Sequence, residues 1–296
     1  MDETIAIETF SPEVCQLGEG AAYEAATDTA WWVDITGCRL FEAKVATRSV
    51  TVHRLPKMAS LIAPIDKGRH LLATEDGLYV RRAADGGLDL LQPLEADNPV
   101  TRSNDGRVHP CGALWIGTMG KGSEDKAGAI YWFFKGELRC LYPKITIPNA
   151  ICFSADGRVG YFTDTHVGIL HRVELDPQTG LPVAEPSALY DHRGEKGGLD
   201  GAVVDTDGLI WNARYGGARV DAYDPSGKRV RSVELPARQP TCPVFVGPRH
   251  DRLLVTTAAQ GLGEPGRPAA TPADGTTLLL DVGVSGLPGA FAQPFA

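Results

Sequence analysis

The feature that most restricts how this chain can fold is a phrase that recurs along its 296 residues: a turn, then an apolar or aromatic strand ending in small or polar residues. It reads Ala30-Trp31-Trp32-Val33-Asp34, His70-Leu71-Leu72-Ala73-Thr74, Leu114-Trp115-Ile116-Gly117-Thr118, Gly160-Tyr161-Phe162-Thr163-Asp164, Ile210-Trp211-Asn212-Ala213-Arg214 and Leu253-Leu254-Val255-Thr256-Thr257. Aligned on Trp31, Leu71, Trp115, Tyr161, Trp211 and Leu254, successive copies are 40, 44, 46, 50 and 43 residues apart. Short strands and turns with that period describe a four-stranded propeller blade. A helical repeat of the same length would carry 3.6-residue apolar periodicity, which the chain lacks. The expectation is an all-β, six-bladed β-propeller formed by residues 1–296 as a single domain. The 34 Gly and 21 Pro suit an architecture with many tight turns.

Further strands follow from the turns. Ala129 to Phe134 and Glu137 to Leu141 flank Lys135-Gly136, Gly168 to Glu174 precedes Asp176-Pro177-Gln178-Thr179-Gly180, and Ala218 to Tyr223 and Arg229 to Leu235 flank Asp224-Pro225-Ser226-Gly227. A propeller closes by pairing a strand from one terminus into a blade begun at the other, and the candidates are Thr4 to Phe10 and Thr277 to Val282. Between Gly261 and Gly275 lies a long Pro-bearing loop. Its Gly261-x-Gly263-x-x-Gly266 has no strand-to-helix setting, which removes the dinucleotide reading.

Composition excludes several classes. With 37 acidic against 29 basic residues the net charge is −8, and the cations are scattered, so there is no footprint for nucleic acid. The N-terminus leads into no apolar segment of a signal peptide, and no run of 18 apolar residues occurs. A soluble, cytoplasmic protein without membrane contact is expected, monomeric by default. The six cysteines contain no C-x-x-C pair and read as buried free thiols.

In a propeller the polar residues near the ends of the blades' inner strands converge from distant parts of the chain. The unusual ones are Glu19 in Leu17-Gly18-Glu19-Gly20, Arg102 and Asn104 in Arg102-Ser103-Asn104-Asp105-Gly106, Asn149 after Pro148, and Asp200 in Gly198-Leu199-Asp200-Gly201. Glu19, Asn149 and Asp200 offer two carboxylates and an amide oxygen, a donor set for a hard divalent cation. Taken singly, each also reads as a turn residue. The glycines beside Asp200 would let backbone come close to a ligand, and Asp207-Gly208 marks a hairpin. There is no G-x-S-x-G elbow and no H-E-x-x-H, and the seven His form no cluster in sequence. Cys111 and His109 are expected to point to opposite faces of a strand.

These motifs together carry a family resemblance. L-G-E-G at 17–20, W-x-D-I at 32–35, R-x-N-D-G at 102–106, W-x-G-T-M at 115–119, Pro-Asn at 148–149, F-T-D-T at 162–165 and L-D-G-x-x-x-D at 199–205 occur in an order that resembles the SMP-30/gluconolactonase family of regucalcin-like sugar lactonases. The resemblance implies a sugar lactone as small-molecule substrate, hydrolysed to the sugar acid. It implies one divalent metal ion (Ca, Zn, Mn, Mg or Fe(II)) held by Glu19, Asn149 and Asp200, with Arg102 and Asn104 binding substrate and Asp200 also the general base. Binding a cation weakens a carboxylate as a base, so metal hydroxide is the alternative nucleophile and Asp164 an alternative proton acceptor. Where some members carry an acidic residue after Gly-Thr-Met, this chain has Gly120-Lys121-Gly122. The competing readings are a non-enzymatic propeller that binds a cation or small ligand, and a related propeller arylesterase or phosphotriesterase.

Overall fold

The computed structural model describes residues 5–295. The first blade holds β2 (Gly18–Glu24), β3 (Thr29–Asp34), β4 (Arg39–Lys44) and β5 (Val50–Arg54), after an initial strand β1 (Ile7–Ser11). The second holds β6 (Ala59–Asp66), β7 (Arg69–Thr74), β8 (Gly77–Arg82) and β9 (Leu88–Pro93); the third, β10 (Thr101–Val108), β11 (Leu114–Gly120), β12 (Gly128–Phe134) and β13 (Glu137–Ile145). The fourth holds β14 (Pro148–Phe153), β15 (Val159–Asp164), β16 (Ile169–Glu174) and β17 (Ser187–Asp191); the fifth, β18 (Gly198–Val204), β19 (Ile210–Tyr215), β20 (Arg219–Tyr223) and β21 (Arg229–Glu234). The last holds β22 (Pro240–Val246), β23 (Arg252–Thr257) and β24 (Thr277–Leu280), and β1 completes it by pairing Ile7 with Leu280. Six four-stranded antiparallel sheets result, and the fold is the six-bladed β-propeller that the repeat predicts. One 3₁₀ turn, Ala25–Thr27, is the sole helical element among the described residues.

The chain divides into two compact units. One takes the chain up to Arg54 with Glu195–Pro288, and the other takes Leu55–Gly194 with the residues from Gly289 on. In the first unit the strands β2, β18 and β22 pack together, with β22 against both others; in the second, β10 packs against β6 and β14.

The recurring phrase is the second strand of every blade: β3, β7, β11, β15, β19 and β23. These strands read as strongly apolar because they are buried almost throughout. Trp32, Trp115 and Trp211 are wholly buried in separate cores. Each hides an aromatic area that contributes roughly 4–6 kcal/mol as an upper bound. The fourth strands β9 and β21 are exposed or half-buried at all but one residue, which is why their sequences carry little signal.

The sequence gives no warning of what happens in the first strands. In each, a β-bulge interrupts the pairing with the second strand at the same place. Five of them set two residues against one: Gly20 and Ala21, Asn104 and Asp105, Ala150 and Ile151, Asp200 and Gly201, and Thr241 and Cys242. In β6 the extra residue is Ser60. The residues opposite the far side of the bulge are Trp31, Ala73, Ile116, Tyr161, Asn212 and Val255, so the repeat register moves by one or two residues in four blades.

Candidate functional site

All five candidate residues lie on first strands, four of them at or directly beside these bulges and Arg102 two residues before that of β10. A bulge bends its strand and re-aims side chains, which is how a polar residue can leave the sheet's regular alternation. Glu19 directly precedes the β2 bulge and Asn149 the β14 bulge, and the residue after each is left-handed: Gly20 at φ 59° and Ala150 at φ 55°. Asn104 and Asp200 occupy the bulges of β10 and β18 themselves.

In the unit built on Leu55–Gly194, three candidates come together. The Arg102 guanidinium donates through Nη1 to the carbonyl of Ser103 and to Asn104 Oδ1, each at 2.8 Å. Asn104 Nδ2 donates to the Pro148 carbonyl at 2.9 Å and to Asn149 Oδ1 at 3.0 Å. Asn149 Nδ2 in turn donates to Thr165 Oγ1 at 2.9 Å. This chain of bonds fixes which end of each amide is oxygen, and it leaves Asn149 Oδ1 a second lone pair for another partner. The three side chains are nearly buried, at 7%, 8% and 4% exposure.

Glu19 and Asp200 belong to the other unit, 7% and 5% exposed. Glu19 Oε2 accepts the Gly20 N–H at 3.2 Å. The strand carrying Asp200 is held through Asn212, whose Nδ2 donates to the carbonyls of Asp200 and Gly201 at 2.6 and 3.2 Å. Both carboxylates act on one reporter, the Tyr215 phenol. Burial, then the charges of Asp200 and Glu19, push it up to about 12, against a smaller opposing pull from Arg267. Two buried negative charges acting on one phenol are an arrangement that a cation would offset. Two carboxylates and an oriented amide oxygen fit a hard cation. Among the described residues no group of three or more His, Cys, Asp or Glu side chains is gathered for a metal.

The sequence reading missed Asp105 and Tyr215. The carboxylate of Asp105 accepts the Ile151 N–H at 2.8 Å, and complete burial pushes it up to about 6 against the opposing charge of Arg107. Its only signal was the Asn-Asp-Gly string, which equally marks a turn. Tyr215 ends β19, opposite Gly198.

Asp164, an alternative proton acceptor in the sequence but more readily a strand-end structural residue, has its carboxylate engaged by the backbone N–H groups of Thr146, Ile147 and His166 at 2.8, 3.0 and 3.1 Å, so it holds the turns around β15. Several expectations are corrected. His109 and Cys111 do not diverge: β10 ends at Val108, and in the turn that follows Nδ1 of His109 lies 3.0 Å from the Cys111 sulfur. They are no nucleophilic pair, because burial raises the thiol's pKa and lowers the imidazole's. Of the six cysteines, Cys15, Cys152 and Cys242 are buried, Cys38 and Cys111 are half-buried and Cys140 is exposed. Gly201 admits the neighbouring strand rather than a ligand, since a Cβ there would sit 2.8 Å from the Thr241 carbonyl oxygen. The hairpin at Asp207-Gly208 is secured by Asp205, which accepts from the N–H groups of Asp207 and Leu209 and from the Trp211 indole at 2.8–2.9 Å.

No helix among the described residues is long and apolar enough to cross a membrane. Comparison with known proteins adds three relatives. A Rhizobium meliloti protein provisionally named a sugar lactone lactonase is 49% identical over 278 residues, 94% of each chain. The L-arabinolactonase of Azospirillum brasilense is 33% identical over 256 residues, 84% of this chain and 83% of the other. The crystal structure of a calcium-binding protein, regucalcin, from Agrobacterium tumefaciens superimposes with a TM-score of 0.94 at 46% identity, covering 97% of both chains. The family profile described as the SMP-30/Gluconolactonase/LRE-like region matches residues 17–259, and this chain therefore belongs to the SMP-30/gluconolactonase/LRE-like family.

Proposed function

We propose that this protein is a carboxylic-ester hydrolase that opens a sugar lactone to the corresponding sugar acid, dependent on one divalent metal ion. The observation that carries the reading is near end-to-end similarity to a provisionally named sugar lactone lactonase, with 49% identity. The L-arabinolactonase relative supports an aldonolactone as the substrate class. Glu19, Asn149 and Asp200 would hold the ion. A bound divalent cation supplies Lewis acidity toward the lactone carbonyl.

The chain's own residues do the rest. Arg102 presents a planar, permanently charged donor to the oxygen on which negative charge develops, or to a ring hydroxyl. Asn104 keeps a lone pair on Oδ1 for a substrate hydroxyl. Asp200 takes the proton of the attacking water as its oxygen bonds to the acyl carbon. The ring C–O bond then breaks, and that proton passes to the departing ring oxygen. The Asp200 carboxylate is thereby restored.

The test is initial hydrolysis rate over a panel of aldonolactones, with metal-stripped protein and with each divalent cation restored, against the spontaneous background. A rate that needs a cation and differs among sugars supports the reading. A cation taken up with no hydrolysis above background favours instead a cation-binding propeller, the reading that the description of the Agrobacterium relative supports.

A further inference from the structure

The β14 bulge holds a non-glycine residue in the left-handed region: Ala150, at φ 55° and wholly buried, directly after Asn149. Such a conformation is strained for an L-residue, and it persists only where the surroundings over-determine it. The determinants come from the bulge of β10, the next first strand in the same unit. On one side of Ala150, Asn104 Nδ2 binds the Pro148 carbonyl and Asn149 Oδ1. On the other, Asp105 Oδ2 accepts the Ile151 N–H at 2.8 Å. Two adjacent side chains thus grip the strained residue from both flanks. Without Asp105, the buried Ile151 N–H would lose its acceptor and Ala150 could relax toward ordinary extended backbone, swinging Asn149 with it.

We infer that Asp105 is a positioning residue: through Ile151 and the left-handed Ala150 it sets where Asn149 Oδ1 points, and so sets the affinity for the cation. This rests on the reading of Asn149 as a cation ligand. The chemistry of the contact agrees with the role. A carboxylate makes a stronger acceptor than a neutral group, and here a completely buried one is retained although burial disfavours its charge.

The experiment uses metal-free full-length protein and two readouts. The first is calorimetric titration with Ca²⁺, Mn²⁺, Mg²⁺ or Zn²⁺ alone, and the second is the Asn149 side-chain amide pair in ¹⁵N-resolved NMR spectra. Asp105→Ala is expected to weaken binding of the preferred cation tenfold or more and to shift or broaden the Asn149 signals. Asp105→Asn, whose amide oxygen can still accept the Ile151 N–H, stays within about threefold of wild type. Adding Ala150→Gly, which removes the left-handed penalty, restores at least threefold of the loss in Asp105→Ala. Ile130→Val, a buried truncation in the same unit, lowers the unfolding midpoint but leaves affinity unchanged. Folded Asp105→Ala with wild-type affinity and unmoved Asn149 signals overturns the inference. Should Asp105→Ala not fold, Asp105→Ser is read by the same two criteria. If wild-type protein takes up no cation, the functional reading fails, and the Asn149 signals alone decide whether Asp105 positions that side chain.

Discussion

The two groups of candidate residues differ in their chemistry, one built on amides and a guanidinium and the other on carboxylates. In the unit built on Leu55–Gly194, Arg102, Asn104, Asn149 and Thr165 form a directional chain in which every amide end is assigned by a partner. In the other unit, Glu19 and Asp200 are two buried carboxylates whose common effect is electrostatic, felt at Tyr215. Hydrogen bonds fix direction to a few tenths of an ångström, whereas charge acts at longer range and tolerates displacement. A site of hard-cation character needs both: charge for affinity and a fixed dipole for geometry. The difference teaches that the two groups should fail differently when altered.

The largest effect should come from the charged group. Asp200→Asn keeps shape but removes a charge and the proton acceptor, and turnover is expected to fall at least about a thousandfold, some 4 kcal/mol of barrier. Asn149→Ala, which removes only a dipole, should fall about 10- to 100-fold, on the scale of lost orienting groups around metals. Steady-state kinetics on the best lactone checks both. Equal losses would erase the distinction between the groups.

A second prediction sharpens the comparison through stability. Asp105 is an acid whose pKa rises from 3.8 to about 6 on folding, because burial outweighs the opposing charge of Arg107 and the backbone N–H groups of Ile151 and Gly106. Between those two pH values the folded state binds more protons than the unfolded one, so this group's contribution to stability falls as pH rises through the window. Asp105→Asn removes that dependence. Measured by denaturant unfolding, the mutant should gain on wild type by on the order of 3 kcal/mol between pH 4 and pH 7. A parallel pair of pH profiles would assign Asp105 the same pKa folded and unfolded.

The smallest effect should come from outside both groups. Cys111→Ser, in the turn after β10, should leave turnover within about twofold and stability within roughly 1 kcal/mol, checked by the same assays. A larger loss of turnover would return the His109–Cys111 contact to the chemistry.

The sequence made the second strands legible because burial on both faces demands runs such as Leu114-Trp115-Ile116, and turn residues bound them. Blade count followed from their period. The closing pair was legible to within a few residues, with β1 at Ile7–Ser11 against an expected Thr4 to Phe10, of which the first residue lies outside the described residues. The bulges were not legible. One extra residue changes neither composition nor hydrophobicity, yet it decides which side chains leave the sheet. That is why Asp105 was read only as part of a string, whereas Asp164, for which a strand-end structural role was the stronger sequence reading, is seen to accept from three backbone donors. His109 and Cys111 were misread because residues two apart on a strand share a face rather than diverge, and because β10 already ends at Val108.

The pairing of β1 with β24 also governs how the protein is made. β1 leaves the ribosome well before its partner β24, Ile7 pairing with Leu280, so at roughly 5–20 residues per second it waits on the order of tens of seconds for its neighbour. Through that interval its backbone donors and acceptors are without their final partner, and this blade cannot be completed until β24 has been made. Crowded, slow or interrupted translation should therefore harm this blade before any other, and short products lacking β24 should be the aggregating species in a cell that overproduces the protein.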